Sequence, residues 1–290
     1  MLRRFDWPAA EPRTRGSMLF LGGRGDFIEK YLEAMHHFHA AGWSLAGFDW
    51  RGQGGSGRFL LDRTIGHCAD FAPLVDDAAA FAAEWISGSP GPHVLLGHSM
   101  GGHLLLRLLA ERSLPVEAAV LVAPMLGFAP APLPQWGTRI VAALANAFGL
   151  SERPAWSEGE RPELFEARRR LNLTHSPERF EDEKWWKAAA PAHVVGPPTW
   201  GWVRASLRSM DQLARPNVLR AVRPPILITA TPRDRLVGTS AITRAAGHLP
   251  DAELRWFPDG AHELLREADE VRLPVLAAID GFLDRRAPAE

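Results

Sequence analysis

The decapeptide LLGHSMGGHL, residues 95–104, constrains this chain more than any other stretch. Gly97, Ser99 and Gly101 fit G-x-S-x-G, a motif that requires a strand before it and a helix after it. Both are present in pattern. "HVLLG" (93–97) is a short apolar run of the kind that forms a buried strand, and "HLLLRLLAER" (103–112) has helical spacing. A sharp strand-to-helix turn lifts the serine hydroxyl above a sheet, and only small neighbours let the backbone cross that closely. The chain is therefore expected to be α/β, with the serine at the carboxyl end of a parallel strand.

The flanking sequence repeats the same rhythm. "SMLFL" (17–21), "WSLAGFD" (43–49) and "VEAAVLVA" (116–123) read as strands. Ile28, Tyr31, Met35 and Phe38 mark a helix that Gly42 ends, with Asp26 and Glu29 as a capping-box variant at its start. Phe71, Leu74, Val75, Ala78, Ala82, Trp85 and Ile86 form an amphipathic stripe, which Asp70 is placed to cap. From Pro124 to about Arg223 the strand-like runs stop. Prolines, charged helical pieces such as "RPELFEARRRLNL" and six of the eleven tryptophans take over. "PPILITAT" (224–231), "AELRWF" (252–257) and a helix from about Pro274 to Arg286 then resume the rhythm. This predicts a core of residues 1–123 and 224–290, with a helical insertion over 124–223 after the strand ending near Ala123.

Serine attacks a carbonyl only when a base removes its proton, and that base is a histidine oriented by a carboxylate. Where G-x-S-x-G occurs in this context, the partners follow in the order Ser, Asp or Glu, His. "TATPRDRLVG" puts Asp234 just past a strand, and "FPDGAHELL" puts His262 in the loop after the last strand. Asp211 and Asp259 are weaker alternatives, since neither follows a strand at the right offset. The oxyanion formed on attack needs N–H donors. One is Met100, the residue after the serine, and the other comes from a loop after an early strand. The Gly-rich turn in "LFLGGRGDFIEKY" (19–31) is that loop; it lacks the last glycine of a dinucleotide fingerprint, and the chain has no G-K-[ST].

"GGRGDFIEKY", "DWRGQGGSGR", "GHSMGGHL" and "GAHELL" together resemble the monoacylglycerol lipase and bacterial lysophospholipase branch of the α/β-hydrolases, over about residues 4 to 285. The resemblance implies an ester hydrolase with a lid over an acyl pocket. It implies Ser99 as nucleophile, Asp234 as acid, His262 as base and the Arg24 N–H as second oxyanion donor. Monoacylglycerols or lysophospholipids become the expected substrates, and small esters, thioesters or amides the alternatives. A binding module that has lost catalysis is the rival of another class. Gly23 is expected to line the substrate site, as are Trp136, Trp185 and Trp186 unless the tryptophans are the core of a small helical subdomain. The chain departs from the branch in having Gly22 for His at the Gly-rich turn and Gln53 for His in D-x-R-G-H-G. Its N-terminus is also short for the usual first strand. The Arg24 side chain is expected to pair with Asp26, Glu29 or Asp49, the alternative being an anionic head group.

The remaining signals are discounted. His36, His37 and His39 lie on one helix, where only His36 and His39 share a face, so no metal site is expected. "GQGGSG" (52–57) lacks the lysine of a phosphate loop, and His67 reads as a loop anchor. "RRR" (168–170), Lys184 and Lys187 are interleaved with acids and read as a solvated face. No cofactor is called for. A net charge of -1 argues against a broad nucleic-acid surface. The single cysteine, Cys68, and the absence of an apolar leader suit a cytoplasmic protein, and Pro124, Pro130 and Glu117 rule out a membrane span at 116–131. Transient contact with a membrane surface fits a lipid substrate.

Overall fold

The computed structural model describes residues 1–10, 14–130, 133–156 and 162–289. Among these, seven strands form one sheet: β1 (Arg4–Trp7), β2 (Gly16–Leu21), β3 (Trp43–Phe48), β4 (His93–His98), β5 (Ala118–Val122), β6 (Ile226–Ala230) and β7 (Ala252–Trp256). Their order is β1-β3-β2-β4-β5-β6-β7. All neighbours run parallel except β1, which is antiparallel to β3. The sheet is covered on both faces, which is why β2, β4, β5 and β6 are apolar runs without alternation and are buried throughout. Met18 and Phe20 of β2 face α1 (Leu32–Ala40) and α10 (Asp269–Arg286). Leu19 and Leu21 face α2 (Ala72–Gly88) and α3 (Met100–Glu111). One sequence run thus fills two cores by the two-residue period of a strand.

Three local expectations are corrected. The N-terminus does supply a first strand, β1, short enough at four residues to escape a pattern search. Arg4 and Asp6 are exposed, Arg4 lying over the Phe81 ring and pairing with Glu84, and such charges on an edge strand discourage further pairing. Asp26 and Glu29 do not cap the first helix, which opens as a 3-10 turn at Ile28–Tyr31 with no side-chain cap. The Ile28 N–H donates to Asp49 instead, at 2.9 Å, because Asp26 is turned inward and Glu29 pairs with Arg3. The last helix starts at Asp269 and contains Pro274 rather than beginning there. Asp269 and Glu270 in its first turn suit the positive end of the helix.

Between β5 and β6 the described residues form helices and no strand of the sheet: α4 (Gln135–Ala147), α5 (Pro162–Leu173), α6 (Pro177–Ala189), α7 (Trp200–Leu213) and α8 (Pro216–Leu219). Arg161, the first residue of the charged piece "RPELFEARRRLNL", lies outside the described residues, as does Ala131. The tryptophans divide by helix. Trp202 of α7 is buried in the same apolar cluster as Leu104 and Leu108 of α3, and Trp200 packs against it. Trp136, by contrast, is 68% exposed, at the head of an outward apolar stripe on α4 that continues through Ile140 and Leu144 to Phe148 just beyond it. Helix α9 (Thr239–Ala246) completes the face that holds α2 and α3.

Candidate active site

Ser99 sits between β4 and α3 with φ 51° and ψ −114°. Side chains rarely tolerate this conformation, and it persists only where surrounding bonds hold it. Here the Ser99 N–H donates to Val122 O at 2.9 Å, and its carbonyl accepts from the N–H groups of His103 and Met125, both at 3.0 Å. The flanking glycines are required by close approach. A Cβ at Gly97 would lie 2.7 Å from the Gly102 nitrogen, and one at Gly101 would run into the Leu21 and Gly22 carbonyls.

The loops after β6 and β7 bring two more residues to the serine. His262 Nε2 is 2.9 Å from Ser99 Oγ, and His262 Nδ1 is 2.7 Å from Asp234 Oδ2. Asp234 Oδ1 also accepts the N–H groups of Leu236 at 2.8 Å and Val237 at 3.0 Å, which fixes the carboxylate. With Nδ1–H given to Asp234, Nε2 is left to accept the serine proton. Burial favours neutral imidazole, but the Asp234 charge and hydrogen bond, with Glu263 and Asp26 behind them, outweigh it and hold His262 above its usual value. Burial likewise opposes the Asp234 charge, and His262 with the two N–H groups holds its carboxyl low. The alternatives are engaged elsewhere, Asp211 with Arg139 and Asp259 near Arg233.

The Gly-rich turn lies against the serine. A Cβ on Gly23 would come within 3.0 Å of Ser99 Cβ. The Gly23 N–H donates to Asp26 Oδ2 at 2.6 Å and the Gly25 N–H to Gln53 Oε1 at 3.0 Å. The N–H between them, on Arg24, has no acceptor among the described residues, and neither has that of Met100. Gln53 also donates from Nε2 to the carbonyls of Gly23 (2.6 Å) and Asp26 (3.0 Å). The residue that departs from the branch pattern thus clamps both ends of the turn that carries Arg24.

The Arg24 side chain pairs with none of the carboxylates expected of it. Its Nη2 donates to the Gly196 carbonyl at 2.6 Å, and its guanidinium lies 5.3 Å from the centre of the Trp202 ring. Burial pulls it down to about 10, with the Asp26 charge opposing. Asp26 is committed inward, and Asp49 and Glu29 take Arg3.

Sequence reasoning missed a buried ionic cluster beneath the site. Lys30 Nζ is 2.6 Å from Asp26, 2.5 Å from Glu263 and 3.5 Å from Glu183 of α6. Asp26 Oδ2 also receives the Tyr31 hydroxyl at 2.9 Å and lies 3.3 Å from Nδ1 of His98, the residue before the nucleophile. Arg266 joins Glu263 at 3.0 Å, and Arg169 and Lys187 each reach Glu183 at 2.5 Å. Despite the burial that opposes them, the cations hold the carboxyls of Asp26, Glu183 and Glu263 low. Arg169 and Lys187 therefore do not belong to a solvated face. The local spacings, Asp26 to Lys30 and Glu263 to Arg266, were the only signal available.

The other expected residues are spread out. Trp185 is exposed, Trp186 lies beside it with ring centres 4.8 Å apart, and Trp136 faces outward; none lines the cavities next to the Gly-rich turn. His37 meets Asp280 and His39 the Pro8 carbonyl, and no group of three metal-ligating side chains occurs among the described residues. His67 anchors its loop through Thr199 at 2.9 Å, and Asp70 accepts the Ala72 N–H at 2.9 Å. Burial pushes the Cys68 thiol up to about 12. No helix among the described residues is long and apolar enough to cross a membrane.

A mostly parallel sheet with Ser99 on a strained strand-to-helix turn, and His262 and Asp234 delivered by the last two strand ends, defines an α/β-hydrolase. The comparisons agree on the fold. Monoglyceride lipase from Saccharomyces cerevisiae superimposes with a TM-score of 0.78 at 18% identity, covering 99% of this chain and 92% of that one. More narrowly, the chain belongs to the family described as serine aminopeptidase, S33, whose model matches residues 12–269. Lysophospholipase L2 of Escherichia coli (strain K12) is 32% identical over 276 residues, 91% of this chain and 78% of that protein. Monoacylglycerol lipase of Mycolicibacterium smegmatis is 24% identical over 270 residues, 91% of this chain and 86% of that protein. The resemblance read from the motifs is borne out.

Proposed function

We propose that this protein is a serine hydrolase that cleaves carboxylic esters of lipids, monoacylglycerols or lysophospholipids. The observation that carries the reading is the unbroken chain of contacts from Asp234 through His262 to Ser99. Ser99 attacks the ester carbonyl as His262 takes its proton, and Asp234 keeps the imidazole in the tautomer that accepts at Nε2. The N–H groups of Arg24 and Met100 receive the oxyanion, each donor contributing about 3–4 kcal/mol to the transition state. His262 returns the proton to the leaving alcohol. It then activates water to release the acyl group. None of these steps calls for a cofactor.

The lipid assignment is supported by the lysophospholipase and monoacylglycerol lipase relatives. In this reading residues 124–223 act as a cap, and its outward tryptophans, Trp136 and Trp185, with Trp186, meet lipid at a membrane surface. A cytoplasmic location is part of the reading, on the single, unreactive cysteine. The test is a fluorophosphonate probe followed by a panel of esters that differ only in chain length and head group. A Ser99 adduct, lost in Ser99→Ala, is expected. No adduct on the folded protein would sink the hydrolase.

A further inference from the structure

Among the described residues the buried cations each have a carboxylate: Lys30 three, Arg266 and Arg272 at least two, Arg107 one. Arg24 is the contrast. Its guanidinium is half-buried over Trp202, beside Gln53, His67 and Val195, with the neutral Gly196 carbonyl as its sole hydrogen-bond partner among the described residues. A guanidinium carries five donors in a planar fork shaped for phosphate or carboxylate. Placing it in a low-dielectric crevice with no ion-pair contact, the Asp26 charge acting only at longer range, is costly unless a charged ligand supplies one.

Its position says which ligand. Gly23, the residue before Arg24, lies against Ser99, where a Cβ would come within 3.0 Å of Ser99 Cβ, so the guanidinium lies about one side-chain length from the proposed position of the ester carbonyl. The span from an ester carbonyl to the phosphorus of a glycerophosphate is about that of an arginine side chain. We propose that the Arg24 guanidinium receives the head-group phosphate of a lysophospholipid, and so selects that substrate over a monoacylglycerol of the same chain. The phosphate replaces the Gly196 carbonyl as acceptor, and a charge-assisted, two-point contact takes the place of a neutral one. The inference rests on the hydrolase reading, and the two fail differently.

The test compares lysophosphatidylethanolamine and monoacylglycerol of equal acyl length. In Arg24→Gln the ratio of kcat/KM values, phospholipid over neutral lipid, should fall about 10- to 100-fold, chiefly through KM. Because the ratio is taken within one protein, a general loss of folding or of oxyanion binding cancels. An unchanged ratio overturns the proposal. A second measurement needs only the unaltered protein. Glycerol 3-phosphate should inhibit hydrolysis of a neutral chromogenic ester competitively, and far better than glycerol or inorganic phosphate. Equal inhibition by glycerol would show that the phosphate is not read, and equal inhibition by inorganic phosphate that the site serves a free anion; either overturns the assignment. Loss of the Ser99 fluorophosphonate adduct would instead strike at the hydrolase itself.

Discussion

Lys30→Met removes the cation at the centre of the buried cluster and leaves the shape of the side chain nearly intact. Glu263 and Glu183 keep Arg266 and their other partners. Asp26 keeps only the Gly23 N–H, the Tyr31 hydroxyl and the His98 imidazole. One carboxylate is thereby stranded in the interior. Breaking a buried pair in this way costs about 3–5 kcal/mol. The pH dependence has a definite sign. In the native protein the Asp26 carboxyl is held low, so its contribution is present above the unfolded value of about 3.9 and is lost as pH falls through the folded one. In Lys30→Met its folded pKa rises, so the destabilisation is full at high pH and shrinks as pH falls toward about 4. Urea unfolding of both proteins at pH 8 and pH 5 measures this. A deficit of about 3–5 kcal/mol at pH 8, smaller at pH 5 and partly restored by adding Asp26→Asn, is expected. A deficit under about 1 kcal/mol, equal at both pH values, would refute the claim that Lys30 neutralises the cluster.

Two further outcomes concern catalysis. Because His262 must be neutral to act as base and is held above its usual value of about 6.5, kcat/KM should rise with pH through a pKa above that value, and Asp234→Asn should lower kcat about 10⁴-fold. A profile flat from pH 5 to 9 would remove His262 from its role. Gln53→Ala releases both ends of the turn that carries the Arg24 N–H and should cost about 10- to 100-fold in kcat with little change in KM; a wild-type kcat would mean that the turn holds itself.

Ser99, Asp234 and His262, the trio proposed to react, were legible in the sequence because each lies past a strand end, where local pattern marks its place. Ser99 carried a motif as well, and Asp234 and His262 followed in the required chain order. What stayed hidden depends on distant chain segments. Arg24 finds its acceptor at Gly196, 172 residues away, and no local rule reaches that far. Asp26 sits where a cap belongs, but a lysine one helical turn on and the imidazole of His98 on a remote strand outbid the capping geometry. β1 was missed because four residues, alternately exposed and half-buried, make too short a pattern to read. The tryptophans of the insertion had no period to sort them, and only the packing of α7 against α3 separates Trp202 from its exposed counterparts.

Glu183 carries a consequence for anyone who would rebuild this enzyme. It belongs to α6, and Arg169 and Lys187 hold one carboxylate oxygen at 2.5 Å, while the other oxygen faces Lys30 at 3.5 Å and Arg266 at 3.6 Å on the sheet-bearing core. The helices between β5 and β6 are therefore not an interchangeable cassette. Grafting that segment from a relative with no acid at this position would take one carboxylate out of the cluster and leave Lys30 and Arg266 to Asp26 and Glu263 alone, next to the Gly-rich turn. A replacement segment keeps the cluster as it is only if it supplies an acid that reaches Lys30 and Arg266.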